Sequence, residues 1–347
     1  MKRICFFTTH YDPARQVIME YYERIFPKDV EIFVVSLNKI EKKYQLKRTK
    51  LIELLGNKFI APIKLRKFCK ENKIDLLVNL SGSSEVAIAM FFSTVFTKTK
   101  QVFYFMGNPK ASKNWFFLFY QFFVDRIFAC SLEVAEKFQK VLFLNKKRIL
   151  YLPNPINVNL FSPKNKISTR KKLGLKKEDK ILVYVGRVEY PQGSDYLLEL
   201  VKRNPDKKFI FIGQVKDKNF KEGNFNNLQL IPFVLYKNIP DYYNAADLSL
   251  FFTRRNSYPF PPRESIACNT PVILFKGIGS FKVMRTPAVM KVSFDIEEIQ
   301  KKIDDFFVLS EKEKSKIAKD GREFIVNDSS EEKVKEMTLS YFLDLLK

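Results

Sequence analysis

Arg254-Arg255-Asn256-Ser257-Tyr258-Pro259-Phe260-Pro261-Pro262-Arg263-Glu264-Ser265-Ile266-Ala267-Cys268-Asn269-Thr270-Pro271-Val272-Ile273 is the stretch from which the rest of the chain can be read. A turn rich in proline and aromatic residues runs into a short helix whose first turn carries one carboxylate, Glu264. The helix is expected to stop at Asn269, and an apolar strand over 271–275 follows at once. A helix start at such a loop offers backbone N–H groups and a positive dipole end, which suits phosphate. In an open α/β sheet, loops of this kind lie at the ligand crevice.

Outward from this stretch the same rhythm continues. Upstream, apolar strands are expected at 180–185, 208–213, 228–233 and 248–252, with a helix over 195–203 between the first two. Downstream, Gly277-Ile278-Gly279-Ser280 marks a turn, and helices are expected over 296–309, 311–326 and 331–346. In the first half, strands at 3–9, 31–36, 76–80, 101–105 and 126–131 alternate with helical segments. One of these is 13–26, with Val17, Ile18, Tyr21, Tyr22 and Ile25 at helical spacing. Apolar runs punctuated by helices argue an α/β class with parallel sheets and crossovers.

A chain of 347 residues holds about two domains of ordinary size. Hydrophobic residues make up 46%, which excludes a wholly disordered chain. The formal charge is +23, and residues 1–160 carry 27 Lys and Arg against 13 Asp and Glu. That balance suits nucleic acid, an anionic membrane surface or a phosphorylated ligand, and a coding bias toward lysine would produce the same count. No RNP, zinc-finger or helix-turn-helix pattern is present, so nucleic acid is not expected as a partner. Cys5, Cys69, Cys130 and Cys268 are far apart and there is one histidine. No metal site is expected, and reduced thiols of a cytoplasmic protein are the simplest account.

Two tracts bear on membranes. The aromatic run 115–124 spans about half of the roughly twenty residues that a crossing helix needs, so it reads as a buried helix, with a lipid-tail contact as the sharper alternative. Neither it nor the short apolar run at 4–7 reads as a transmembrane segment or a signal peptide. Residues 42–50 and 64–70 are basic. Lys64, Arg66, Lys67 and Lys70 mix with bulky apolar residues in an expected helix, which suits an anionic membrane surface or, more blandly, a solvated helix face.

Taken in order, four motifs resemble the retaining GT-B glycosyltransferases of family 4, also called glycosyl transferases group 1. They are Pro153-Asn154-Pro155-Ile156-Asn157 followed by Phe161-Ser162-Pro163, Gly186-Arg187 followed by Gln192-Gly193, Tyr243-Asn244-Ala245-Ala246-Asp247, and 263–272 of the opening stretch. The resemblance covers about 125–275 well. It implies a GT-B fold, with two Rossmann-like domains facing a central cleft. An acceptor domain would span 1–160 and a nucleotide-sugar domain 161–328. Residues 329–347 would form a helix crossing back to the first domain.

The resemblance also implies roles. Arg187 would hold the donor diphosphate, together with Gly186, Gly193 and Gln192. Glu264 would bind the ribose hydroxyls, main chain at Val234 would face the base, and Tyr258, Pro259 and Phe260 would line the donor site. Asn256 would contact the sugar. Arg187, Glu264, Gln192 and Asn256 are thus the expected catalytic set. His10 and Ser83, just past the ends of expected strands, and Arg15, early in the expected helix 13–26, are candidates for the acceptor. No cofactor or metal is implied beyond the nucleotide-sugar itself, and the acceptor would be a glycan or a lipid-linked species. A cytoplasmic protein, peripheral on the inner face of the membrane, fits this set.

Four departures from the family pattern stand out. Asn256 replaces the first glutamate of its E-x7-E pair, and Gln192 replaces a lysine. Pro155 replaces a glycine, and His10-Tyr11-Asp12-Pro13-Ala14-Arg15 replaces a glycine-rich loop. A cation beside a departing phosphate acts where charge develops, so its loss bears directly on rate. A weakened or inactive relative that only binds nucleotide-sugar, partner or membrane therefore stays open as a second reading.

Overall fold

The computed structural model describes the whole chain except 41–45, 57–58, 82–83, 106–118, 121, 141–144, 224, 255–258 and 278–283. Ser83, Asn256 and Tyr258, much of the basic tract 42–50 and half of the aromatic run 115–124 lie outside the described residues. Contacts divide the chain into two units, Met1–Pro155 with Glu331–Lys347, and Ile156–Ser330.

The first unit is built on a parallel seven-stranded sheet in the order β3-β2-β1-β4-β5-β6-β7. The strands are β1 Lys2–Thr8, β2 Val30–Ser36, β3 Thr49–Glu53, β4 Leu76–Asn79, β5 Lys100–Phe105, β6 Arg126–Ala129 and β7 Ile149–Tyr151. Its first helices are α1 Pro13–Ile25, α2 Ala61–Glu71, α3 Ser84–Thr94 and α4 Leu132–Gln139. Ile4, Cys5, Phe6 and Phe7 have no exposed surface. β1 is central, with both edges paired to β2 and β4 and both faces buried, and its sequence is continuously apolar. β3 was not expected. Its Thr-Lys-Leu-Ile-Glu sequence belongs to an edge strand, where charge on the pleat discourages further pairing.

The closing helix Glu331–Leu346 completes this unit's core. Phe342 is fully buried, with ring centroids 5.2 to 6.1 Å from Phe6, Tyr22, Phe26 and Phe128. Burying such a ring contributes about 2–3 kcal/mol. The aromatic run needs a correction: of its described members Tyr120 and Val124 are buried, but Phe119, Phe122 and Phe123 are exposed. It is therefore not a helix buried throughout.

The second unit carries a parallel six-stranded sheet in the order β10-β9-β8-β11-β12-β13. The strands are β8 Ile181–Val185, β9 Lys208–Ile212, β10 Leu228–Ile231, β11 Leu248–Phe251, β12 Val272–Phe275 and β13 Val289–Val292. The helices are α5 Lys166–Lys172, α6 Ser194–Arg203, α7 Asn219–Glu222, α8 Ile239–Ala245, α9 Pro261–Ala267, α10 Ile296–Val308 and α11 Glu311–Ser329; the closing helix is α12. Two apolar layers sandwich the sheet, one with Tyr243, Ile266 and Ile325 and the other with Leu197, Phe211 and Ile303.

Strand order reverses between β1 and β4 in the first unit, and between β8 and β11 in the second. Loops that leave the two strands at a reversal diverge and leave a crevice at their carboxyl ends. Gly186, Arg187, Gln192 and Gly193 follow β8 at the second reversal, and His10 and Arg15 follow β1 at the first.

Candidate functional site

In the second unit, β8 ends at Val185 and the chain passes through Gly186 and a 3-10 turn, Tyr190–Gln192, into α6. Gly193 caps that helix with φ of 82° and supplies no side-chain acceptor to its first turn. A Cβ at Gly193 would stand 2.4 Å from the carbonyl oxygen of Phe252, where β11 exits, so only glycine fits. A Cβ at Gly213 would stand 2.2 Å from the Gly186 carbonyl oxygen. The exits of β8, β9 and β11 thus meet backbone against backbone, and the N–H groups of Gly186, Gly213, Gly193 and Ser194 donate to the carbonyls of Ile212, Ile231, Tyr190 and Glu189.

Arg254, just beyond β11, locks this arrangement. Its guanidinium donates to both carboxylate oxygens of Asp195 at 2.8 and 2.6 Å and to the Tyr190 carbonyl at 2.7 Å. It also lies over the Tyr190 and Tyr196 rings, at 4.4 and 5.0 Å from their centroids. Bidentate geometry of this kind fixes orientation as well as energy. Sequence reading did not assign Arg254 this part. Its partner lies 59 residues away and becomes a neighbour only through the strand order.

Arg187 stands on the loop after β8 with 46% of its side chain exposed, 3.3 Å from the Glu189 carboxylate. Gln192 and Gly193 follow in the same turn, and the Gln192 N–H donates to the Glu189 carbonyl. Gly186, Arg187, Gln192 and Gly193 are therefore all placed at the reversal.

Glu264 lies in the first turn of α9, as expected, and is only 3% exposed. The expectation of phosphate at this helix start needs correcting. Pro261 and Pro262 have no N–H, and the N–H groups of Arg263 and Glu264 both donate to the Phe260 carbonyl. What this position does offer is a carboxylate. Burial pushes Glu264 up to about 7, and a hydrogen bond from the Tyr236 hydroxyl at 2.7 Å pulls the other way. Tyr236 opens a 3-10 turn directly after the exposed Phe233 and Leu235. Val234 and Phe260 are half-buried against the core, and Pro259 receives the Arg263 guanidinium on its carbonyl at 3.2 Å.

The far end of α9 is also held. Arg322 of α11 donates to the Ala267 carbonyl, to Phe161 O at 3.0 Å and to Val158 O at 3.1 Å. A guanidinium at the C-terminus of a helix satisfies free carbonyls and meets the negative dipole end.

The first unit's candidates gather at its own reversal. The hydroxyls of Thr9, after β1, and Ser81, after β4, lie 3.2 Å apart. Arg15 donates to Leu80 O at 3.4 Å and pairs with Asp12 at 2.6 Å. His10 is exposed and hydrogen-bonded to Asn38 at 2.9 Å. The Asp12 side chain accepts from the Arg15 N–H and so caps α1.

Residues 165–324 match the family described as glycosyl transferases group 1. The D-inositol 3-phosphate glycosyltransferase of Segniliparus rotundus is 24% identical over 185 residues, which cover 49% of this chain and 41% of that protein. The chain spans about two fifths of the length of the curated relatives it matches. Among solved structures, a glycosyltransferase from Rickettsia africae superposes with a TM-score of 0.78 at 16% identity, covering 100% of this chain and 99% of that one. Anabaena HepE in complex with UDP-glucose superposes with a TM-score of 0.80 at 12% identity, covering 99% of this chain and 100% of that one. The two parallel sheets and these superpositions give the chain a GT-B fold, and within it residues 165–324 are similar to glycosyl transferases group 1.

Proposed function

We propose that this protein is a retaining glycosyltransferase that moves a sugar from a nucleotide-sugar, held on the second unit, to a glycan or lipid-linked acceptor held on the first. The observation that carries the reading is the reversal between β8 and β11. There, a glycine-capped helix start and the exposed Arg187 offer positive charge. In the first turn of α9, the buried Glu264 offers a carboxylate, which can accept from both hydroxyls of a ribose. A diphosphate leaving group develops charge as the glycosidic bond breaks. Arg187 and the α6 N–H groups are the donors that would meet it, with Gln192 adding a neutral amide and no metal required. Asn256 remains the proposed sugar contact. The Anabaena neighbour is described with UDP-glucose, which makes UDP-sugars the first donors to try.

The test is donor hydrolysis and binding by wild type and Arg187→Ala. Wild type is expected to hydrolyse one nucleotide-sugar slowly. The variant is expected to bind it roughly tenfold to a hundredfold more weakly, the range for a lost charge-assisted hydrogen bond. Binding without any turnover would favour the second reading, a nucleotide-sugar-binding relative. One observation already leans that way: Arg187 is paired with Glu189.

The first unit supports a lipid-linked acceptor and attachment to the inner face of an anionic membrane. α2 exposes Lys64, Arg66, Lys67 and Lys70 together with Ile63, which is 71% exposed. Arg66 reaches the Phe92 and Val95 carbonyls at the end of α3. Next in the chain is Phe96, 97% exposed and held at φ of 62°, a conformation costly for a bulky side chain. Exposed aromatics beside cations match an anionic interface. Among the described residues no helix is long and apolar enough to cross a membrane. Co-sedimentation with anionic but not neutral vesicles is expected, reduced in Phe96→Asn. Asparagine tolerates positive φ, so this change leaves the helix end intact. Equal recovery with both vesicle types would remove the membrane from the reading.

A further inference from the structure

Among the described residues the hydroxyl of Tyr236 is the only hydrogen-bond partner of the Glu264 carboxylate, at 2.7 Å. The two come from different places. Tyr236 follows the exposed Phe233 and Leu235, and Glu264 is sealed in the first turn of α9, 28 residues further on. Tyr236 is itself held from behind, its ring edge-on to Phe161 at 5.3 Å. The loop proposed to face the base and the carboxylate proposed to face the ribose are therefore joined by one bond.

The remaining wall gives the carboxylate little help. Tyr243 of α8 is fully buried, and its hydroxyl has no hydrogen-bond partner among the described residues. The charge of Glu264 adds to burial in pushing the Tyr243 hydroxyl up, with smaller contributions from Cys268 and from Tyr184 of β8. Cys268, just after α9, is pushed up by burial and by Glu264. The cations nearby, Arg322 of α11 and Lys164 before α5, act on Cys268. No cation is paired with Glu264 among the described residues, so its charge depends on hydrogen bonds.

We infer that Tyr236 is a positioning residue for the donor nucleotide: its hydroxyl keeps the Glu264 carboxylate ionised and aimed, and so makes nucleotide-sugar binding depend on the protonation of Glu264. The inference rests on the donor-site reading above. An ionised carboxylate accepts from two ribose hydroxyls, whereas the protonated form spends one oxygen on its own proton. Burial that lifts Glu264 to about 7 sets the range in which the effect is visible.

The experiment is calorimetric titration with UDP-glucose from pH 5.5 to 8.5. The diphosphate diester of this probe exchanges no proton in that range. Should UDP-glucose not bind, the GDP- and ADP-sugars replace it. Wild-type affinity is expected to fall as pH drops through about 7. In Tyr236→Phe the carboxylate loses its donor, so the midpoint moves to higher pH. Affinity at pH 7 then drops roughly tenfold and recovers toward wild type at pH 8.5. Glu264→Gln is expected to bind weakly with no midpoint. A purely structural tyrosine would lower affinity equally at every pH. An unmoved midpoint in Tyr236→Phe, or wild-type binding that ignores pH, overturns this inference and leaves the donor site standing. No binding by wild type to any of the three nucleotide-sugar classes overturns the donor site, and the inference with it.

Discussion

Each sheet turns a strand into a helix at its reversal, and the two turns are finished differently. In the first unit, β1 leads to α1 through Asp12, whose carboxylate accepts the Arg15 N–H and pairs with the Arg15 guanidinium. In the second, β8 leads to α6 through Gly193, which brings no side chain at all. The topology is shared and the electrostatics are opposed. One helix mouth is already filled by an anion of the protein's own. The other leaves its N–H groups without a side-chain acceptor, while the neighbouring Asp195 is neutralised by Arg254. Residues 1–160 hold more of the net positive charge, yet the phosphate site is proposed in the other unit. Local cap chemistry, which acts within one helical turn, decides this more than a summed charge does.

The comparison breaks most severely at Gly193. Gly193→Ala puts a Cβ against the Phe252 carbonyl at a positive φ. A loss of roughly 3 kcal/mol or more in urea unfolding is expected, together with loss of nucleotide binding. Wild-type stability would show that the β8 and β11 exits are not packed as described.

Glu264→Gln sharpens it next. The Glu264 carboxyl is raised by burial, so its contribution to stability is fully present below the unfolded value of 4.5 and is lost as pH rises through about 7. The glutamine variant does not suffer that loss. Relative to wild type it should gain up to roughly 3 kcal/mol between pH 4.5 and 8, as a shift of this size implies. Parallel stability–pH curves for the two proteins would deny the burial of the charge.

The smallest effect is expected at Asp12. Asp12→Ala removes the α1 cap and should cost about 1 kcal/mol in denaturant unfolding, with nucleotide affinity unchanged. A change in affinity would mean that the first unit's turn also senses the donor.

How much of this could be read from the sequence depends on the range of the interaction. β1 is legible because a central parallel strand is apolar on both faces, as Ile4 to Phe7 are. β3 is not, because Lys50 and Glu53 make an edge strand look like part of a basic tract. Arg187 and Glu264 fall where the motif register puts them. Tyr236 and Arg254 gain their parts only from neighbours 28 and 59 residues away, which strand order brings together and local pattern does not encode. The N–H groups missing from the start of α9 are a different case. Pro261 and Pro262 are written in the chain, and reading that helix start as a phosphate site overlooks them.

The division of the chain also has a consequence for the order of synthesis. The second unit is one unbroken stretch, Ile156–Ser330, while the first is completed only by Glu331–Lys347. On the ribosome, Phe6, Tyr22, Phe26 and Phe128 are made early and wait for Phe342. The half translated first is therefore the half that finishes folding last. Until Glu331–Leu346 clears the exit tunnel, the aromatic core of the first unit stays open and is in need of a chaperone.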